Sequence, residues 1–326
     1  MLKRLAKSGI FIHSLLLAGL AVVFFVTPQV NFPGIQPLPP AAPMGIWLYA
    51  LLSGYPNLVK PLAISLLVVI SLVFNALLIR HDVSPRQSLF PAVLTLTFML
   101  FTPDPLNLII TEACLLLLLV SMHNVMNLYG EQNPNFQVLN AALAISTASM
   151  LIPAVMIFAI FIWFGLFTFR INSWRDWLIS LIGLAIPYFY LFFLFFWNNN
   201  LDYAAGIYIQ YFRNSALSFN KPGMLLFIAL CLLFINGLLG MVRFLSDAGD
   251  KIISTRKKMW VTAQFAFACM AMLAFSGDKF PALLPVIFLP VAAMLSYTIL
   301  NSRRAWFFDL IFLLTVLTTI LNRINL

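Results

Sequence analysis

The sequence predicts an all-α fold, a polytopic bundle of transmembrane helices, and three observations carry that reading. Hydrophobic residues make up 62% of the chain and charged residues 9%, where a soluble domain carries about a quarter charged residues. The mean hydropathy is +0.99, and apolar windows near the roughly 20 residues that cross a bilayer recur along the whole length. The lysines and arginines fall mainly in short links between those windows, as the positive-inside rule requires of a membrane protein. No stretch of soluble-domain composition intervenes, so residues 1–326 read as a single transmembrane domain.

The first apolar run, Ile10 to Val26, follows Lys3, Arg4 and Lys7. It resembles a signal peptide, but Phe24-Phe25-Val26-Thr27-Pro28 offers no small-residue cleavage site, and the run reads as an uncleaved first span entering from the cytoplasm. The outer loop 27–58 follows, rich in proline from Pro28 to Pro56. Proline removes donors and fixes φ, so this loop is expected to be extended up to Pro43. Met44 to Leu52, with Trp47 and Tyr49, suits a short helix lying in the interface.

The second span, about Val59 to Ile79, returns to Arg80, His81 and Arg86; the third, about Leu89 to Phe101, ends at the turn Thr102-Pro103-Asp104-Pro105. The fourth, about Leu106 to Leu128, carries Glu112 two turns in. The next apolar segment is broken at Pro153 into pieces of about 13 and about 17 residues, each short for the roughly 20 that a crossing needs. The break reads as a tight hairpin with its tip near the outer face, tolerated where protein or a cavity satisfies the freed backbone. The Arg170/Arg175 turn leads to a span from Trp177 to Trp197, kinked or widened at Pro187.

The second outer segment, 198–221, places Leu201, Ala204, Ala205, Tyr208, Tyr211 and Phe212 at three- and four-residue intervals, the pattern of a surface helix with one apolar stripe. A span from Pro222 to about Val242, the basic cytoplasmic loop 243–258, and spans about Trp260–Phe275, Pro281–Leu300 and Trp306–Leu321 complete the chain. The scheme has about eleven spans, N-terminus inside and C-terminus outside. It leaves Lys60, Arg213, Lys221, Lys279 and Arg323 outside and puts the other fourteen of the 19 basic residues inside. Reading the hairpin as one span would move the Arg170, Lys251 to Lys258 and Arg303 clusters to the outer side, against the rule.

Composition excludes several functions. The net charge of +9 is accounted for by membrane topology and predicts no nucleic-acid partner. Cys114, Cys231 and Cys269 lie in apolar segments without CxxC spacing and read as buried small hydrophobes. His13 and His123 lack a second ligand at metal spacing, so neither a metal nor a cofactor is expected. No phosphate-binding glycine loop, dinucleotide pattern, catalytic triad spacing or zinc-protease motif is present.

The remaining candidates lie toward the outer face. Glu112 is an ionisable group within a span, a functional candidate whose expected partners are Lys60, Arg213 and Lys279; its alternative is a hydrated or ion-paired structural carboxylate. Asp104 sits in the preceding turn. Arg213 and Lys221 flank the amphipathic helix and Lys279 follows another outer turn, so these with Lys60 form a candidate set for an anionic headgroup or pyrophosphate. Asp309, near Arg303 and Arg304, reads as a structural residue favouring a helix N-terminus.

Ala148-Ser149-Met150-Leu151-Ile152-Pro153, the Arg-bearing turn and the apolar helix with Gly183 and Pro187 give the region Gln137 to Phe196 a resemblance to the middle of C-type glycosyltransferases and surface-polysaccharide polymerases. More broadly the chain resembles polytopic inner-membrane proteins of Gram-negative bacteria. The resemblance implies a transferase using a lipid-linked donor in the inner membrane, with Glu112 and Asp104 as its carboxylates. C-type glycosyltransferases carry a catalytic carboxylate in the first outer loop, whereas here no Asp or Glu precedes Asp82. A site built on arginine and lysine avoids that difficulty, with Arg213 foremost. Three functions follow: an envelope-biogenesis protein binding or processing a lipid-linked glycan or phospholipid at the outer face; a non-catalytic scaffold for other membrane subunits; and a transporter.

Overall fold

The computed structural model describes residues 6, 9–26, 42–84, 88–99, 105–131, 133–171, 173–214, 224–275 and 280–301, with Leu310, Leu313 and Leu314. Within these residues the chain is helical and contains no strand. The helices are α1 (Ile10–Val26), α2 (Pro43–Ser53), α3 (Pro56–Arg80), α4 (Phe90–Met99), α5 (Pro105–Asn127) and α6 (Asn135–Leu151), then a 3-10 turn (Pro153–Phe158) and α7 (Ala159–Phe169). They continue with α8 (Trp174–Trp197), α9 (Leu201–Asn214), α10 (Met224–Ala248), α11 (Ile253–Ala274) and α12 (Phe280–Asn301). Five of them, α3, α5, α8, α10 and α12, are long and apolar enough to cross a membrane. The span expected at Trp306–Leu321 lies largely outside the described residues.

Proline sets the break between α6 and α7. Pro153 has no N–H to donate and its ring would strike the carbonyl one turn back, so the residue before it is pushed out of the helical region. Ile152 accordingly adopts φ −139° and ψ 106°, and its N–H caps α6 on the Ala148 carbonyl at 3.1 Å. The chain then turns back. At the other end, Arg170 stops α7 in the left-handed conformation (φ 60°) while Ile171 N–H reaches the Leu166 carbonyl at 3.0 Å, the bonding of a Schellman-type stop.

Side-chain contacts fix the polarity of neighbours. His81 at the end of α3 meets His123 near the end of α5, so these two run parallel. Leu89, just before α4, donates to His13 in the first turn of α1. Gly165 of α7 lies against Val125 of α5, and Lys257 in α11 covers the rings of both Tyr129 and Phe169. The ends of α3, α5 and α7 and the starts of α1, α4, α6, α8 and α11 therefore share one end of the bundle, termed the basic end. Both arms of the pair meeting at Pro153 start or finish there, so the pair is folded back with its tip at the opposite, far end.

Helices α10 and α12 are parallel, with Gly237 against Val291, Gly240 against Leu295 and Phe244 edge-on to Tyr297. Basic residues expected in a loop at 243–258 are instead mostly helical: α10 runs to Ala248 and α11 begins at Ile253. A pair across one turn, Arg243 to Asp247 at 3.9 Å, supports the extra turn of α10.

Small residues make the tightest seams. A methyl placed on Gly183 of α8 would stand 2.7 Å from Ala142 Cβ and 3.2 Å from the Leu139 carbonyl oxygen of α6. In lipid there is little hydrophobic drive between helices, and such close backbone approach is how they gain packing energy. Phe158 of the 3-10 turn and Phe161 of α7 meet Phe265 of α11 edge-on at 5.3 and 5.5 Å, contacts worth about 0.5–1.5 kcal/mol each.

Candidate functional site

At the far end, α6 stops one turn after Ser149, and three elements gather around that stop. Ser149 Oγ and the Tyr188 hydroxyl of α8 are 2.8 Å apart. Ser146 donates to the Leu184 carbonyl at 2.7 Å, next to Gly183, whose carbonyl loses its in-helix donor because residue 187 is proline. The hydroxyl thereby ties α6 to α8 one residue from the carbonyl that Pro187 frees.

The amphipathic helix α9 lies over this junction. Ala204 (fully enclosed), Tyr208 and Tyr211 form its inward face, while Tyr203 and Ile209 are exposed. Tyr208 stacks edge-on against Tyr188 at 5.9 Å and turns its buried hydroxyl toward that of Tyr188 without closing a well-formed hydrogen bond. Tyr211 brings its hydroxyl to the Ala154 backbone N–H in the 3-10 turn. Burial raises Tyr208 above the ordinary phenol range, and raises Tyr211 to about 12, with the Ala154 N–H partly opposing the shift. Both phenols are neutral near pH 7, so this cluster offers hydrogen-bond donors and acceptors, not bases.

Beside it, the outer wall of α8 is aromatic and open. Phe189, Tyr190, Phe193 and Trp197 are between 50 and 76% exposed, and Phe193 packs on both Phe189 and Trp197 along one stripe. A polar cluster at a helix break thus adjoins an apolar wall running along the bundle.

Glu112 lies two turns inside α5, in the far half of the bundle, with 0% exposure. Among the described residues neither carboxyl oxygen has a hydrogen-bond partner. Lys60, one of its three expected partners, is half-buried in α3. Arg213 falls at the end of α9, two residues after Tyr211, and its side chain lies outside the described residues, as do Asp104, Lys221 and Lys279 entirely. Asp309 lies outside them too.

The charge pattern of the sequence does not point to these hydroxyls. Tyr208 and Tyr211 were legible as part of a stripe, but no local signal ties them to Ser149 and Tyr188, which come from other helices. No group of three or more His, Cys, Asp or Glu side chains with metal-binding geometry occurs among the described residues. No family model matches this chain, and no curated protein or solved structure matches it.

Proposed function

We propose that this chain is a multi-pass protein of the bacterial inner membrane, with about eleven spans and a cytoplasmic N-terminus, that holds the polar head of a lipid-linked glycan or phospholipid at the outer face. The observation that carries the reading is the hydroxyl cluster of Ser149, Tyr188, Tyr208 and Tyr211 at the break, set beside the exposed aromatic wall of α8. An amphiphile needs such a pair of surfaces: hydroxyls for its head and an apolar wall for its chain. Arg213, Lys221, Lys279 and Lys60 supply the positive charge for its phosphate. In a transferase of this kind Asp104 and Glu112 are the carboxylates available to activate the acceptor.

A second reading, a non-catalytic scaffold for other membrane subunits, draws on a different observation: Glu112 is enclosed at 0% exposure in a filled part of the bundle. The two readings separate experimentally. Under the first, the purified protein carries an amphiphile detected by mass spectrometry of extracted lipids, the paired Tyr208→Phe and Tyr211→Phe variant loses it, and Arg213→Ala and Glu112→Gln fail to complement a deletion strain. Full complementation by both, with no retained amphiphile, would sink the first reading and leave the scaffold. Sidedness is tested by single cysteines in a Cys231→Ser background. An impermeant reagent added outside should label Lys221→Cys and spare Lys257→Cys; the reverse pattern inverts the whole assignment.

A further inference from the structure

The basic end carries a second constellation, independent of the far-end site. Arg80 and His81 close α3, His123 and Asn127 occupy the last two turns of α5, and Lys258 stands in the second turn of α11. His81 Nε2 and His123 Nδ1 are 3.2 Å apart, and Asn127 Nδ2 is 3.0 Å from His123 Nε2. An amide nitrogen only donates, so Asn127 makes His123 Nε2 an acceptor. The proton of His123 then sits on Nδ1 and is donated to His81 Nε2, which leaves His81 with its own proton on Nδ1. The chain of three side chains ends in an N–H donor.

That donor lies in a field of one sign. His81 is 3% exposed, and the charges acting on it come from Lys258, His123 and Arg80, with no carboxylate among them. Other cations of this end rest on aromatic faces: Lys257 is 5.4 Å from the Tyr129 ring and 5.9 Å from the Phe169 ring, and Lys251 is 5.8 Å from the Tyr297 ring. An oriented imidazole pair at a helix end that also carries Arg80, with Lys258 acting on His81 from α11, has donors to offer, and among the described residues no carboxylate acts on His81. A phosphate group supplies a negative acceptor: it accepts a planar fork from arginine, a point charge from lysine and an N–H from imidazole.

We propose that Arg80, His81, His123 and Lys258 form a binding site for a phosphate group, with His81 as the donor that His123 and Asn127 hold in place. The site lies at the ends of α3 and α5, two helices long and apolar enough to span, and so at the level of lipid headgroups. An anionic phospholipid is therefore the source the fold favours over free phosphate.

The test uses the full chain purified into phosphatidylcholine nanodiscs, challenged with phosphatidylglycerol or with inorganic phosphate, reading bound lipid by native mass spectrometry and stability by thermal unfolding. The unmodified protein should retain phosphatidylglycerol about tenfold over phosphatidylcholine, since cations at headgroup level attract an anionic lipid. Arg80→Gln with Lys258→Gln should abolish that preference, while Lys251→Gln, whose cation sits on the Tyr297 ring, should keep it. Stabilisation by inorganic phosphate that the double variant loses assigns the same site to a soluble phosphate. A preference unchanged in the double variant, or no response to either probe, overturns the proposal. Should the double variant fail to fold, Lys258→Gln alone, at a half-buried position, is read by the same criteria with Lys258→Arg as the charge-preserving control.

Discussion

Ser149 of α6 and Tyr188 of α8 stand 39 residues apart in the chain and share a hydrogen bond of 2.8 Å one turn before the chain reverses at Pro153. The bond joins the interrupted helix to the proline-bearing one where neither has a continuous backbone ladder. Removing it with Ser149→Ala or Tyr188→Phe should lower stability by about 0.5–1.5 kcal/mol. The double variant should cost little more than either single one, a coupling that a double-mutant cycle in thermal unfolding would measure; full additivity would show that the two groups do not act together.

Gly183 has no room for a side chain, because a methyl there would meet Ala142 at 2.7 Å and the Leu139 carbonyl at 3.2 Å. Gly183→Ala should therefore destabilise by about 1–3 kcal/mol. Adding Ala142→Gly should recover part of the loss, since it clears the nearer contact and leaves the carbonyl. An unchanged unfolding midpoint in the single variant would mean that α6 and α8 are not this close.

His81 sets a pH dependence whose sign follows from its surroundings. Burial, then Lys258, His123 and Arg80, lower it to about 3 from the ordinary 6.5. Between those values the unfolded chain binds a proton that the folded chain does not, so stability rises with pH across this window and is lost as pH falls from about 6.5 toward 3. Unfolding midpoints recorded from pH 7 down to pH 4 should fall, and His81→Gln should flatten that part of the slope. A slope identical in the variant would assign the acid sensitivity to other groups.

Glu112 has no hydrogen-bond partner for either oxygen among the described residues and no exposure. Leaving such a polar group buried costs about 1–3 kcal/mol, so Glu112→Leu, similar in volume, should raise stability by about that much. A lower unfolding midpoint would show that the carboxyl holds the bundle together. A rise accompanied by failed complementation would mark a residue kept for function at the expense of stability.

Much of the architecture is written locally. Pro153 announces the break and Pro43 and Pro56 stand at the starts of α2 and α3, because proline acts on its own backbone and the residue before it. The stripe of α9 is similarly visible at three- and four-residue intervals. Burial is not. Helices α8 and α12 have nearly the same mean hydropathy, yet 28% of one apolar window is buried and 89% of the other. Lipid tails are as apolar as leucine, so composition does not separate a lipid-facing helix from an enclosed one. The hydroxyl cluster escaped for a related reason: Ser149, Tyr188, Tyr208 and Tyr211 meet through packing of α6, α8 and α9 that no periodicity encodes. Charge does not by itself end a helix: Arg243 and Asp247 sit on the last turns of α10, inside the stretch 243–258 that reads as a loop from sequence.

The short helix α4 is buried over nearly its whole surface, and it packs on α12, where Phe98 meets Phe288 at 6.0 Å. Those two partners are made far apart in time. A nascent chain exposes α4 long before the ribosome has decoded Phe280, so for most of synthesis a ten-residue helix, too brief to settle in lipid alone, waits for its cover. Truncations ending at residue 279 should consequently be cleared quickly by membrane proteases in pulse-chase, whereas supplying α12 as a separate peptide should prolong their lifetime.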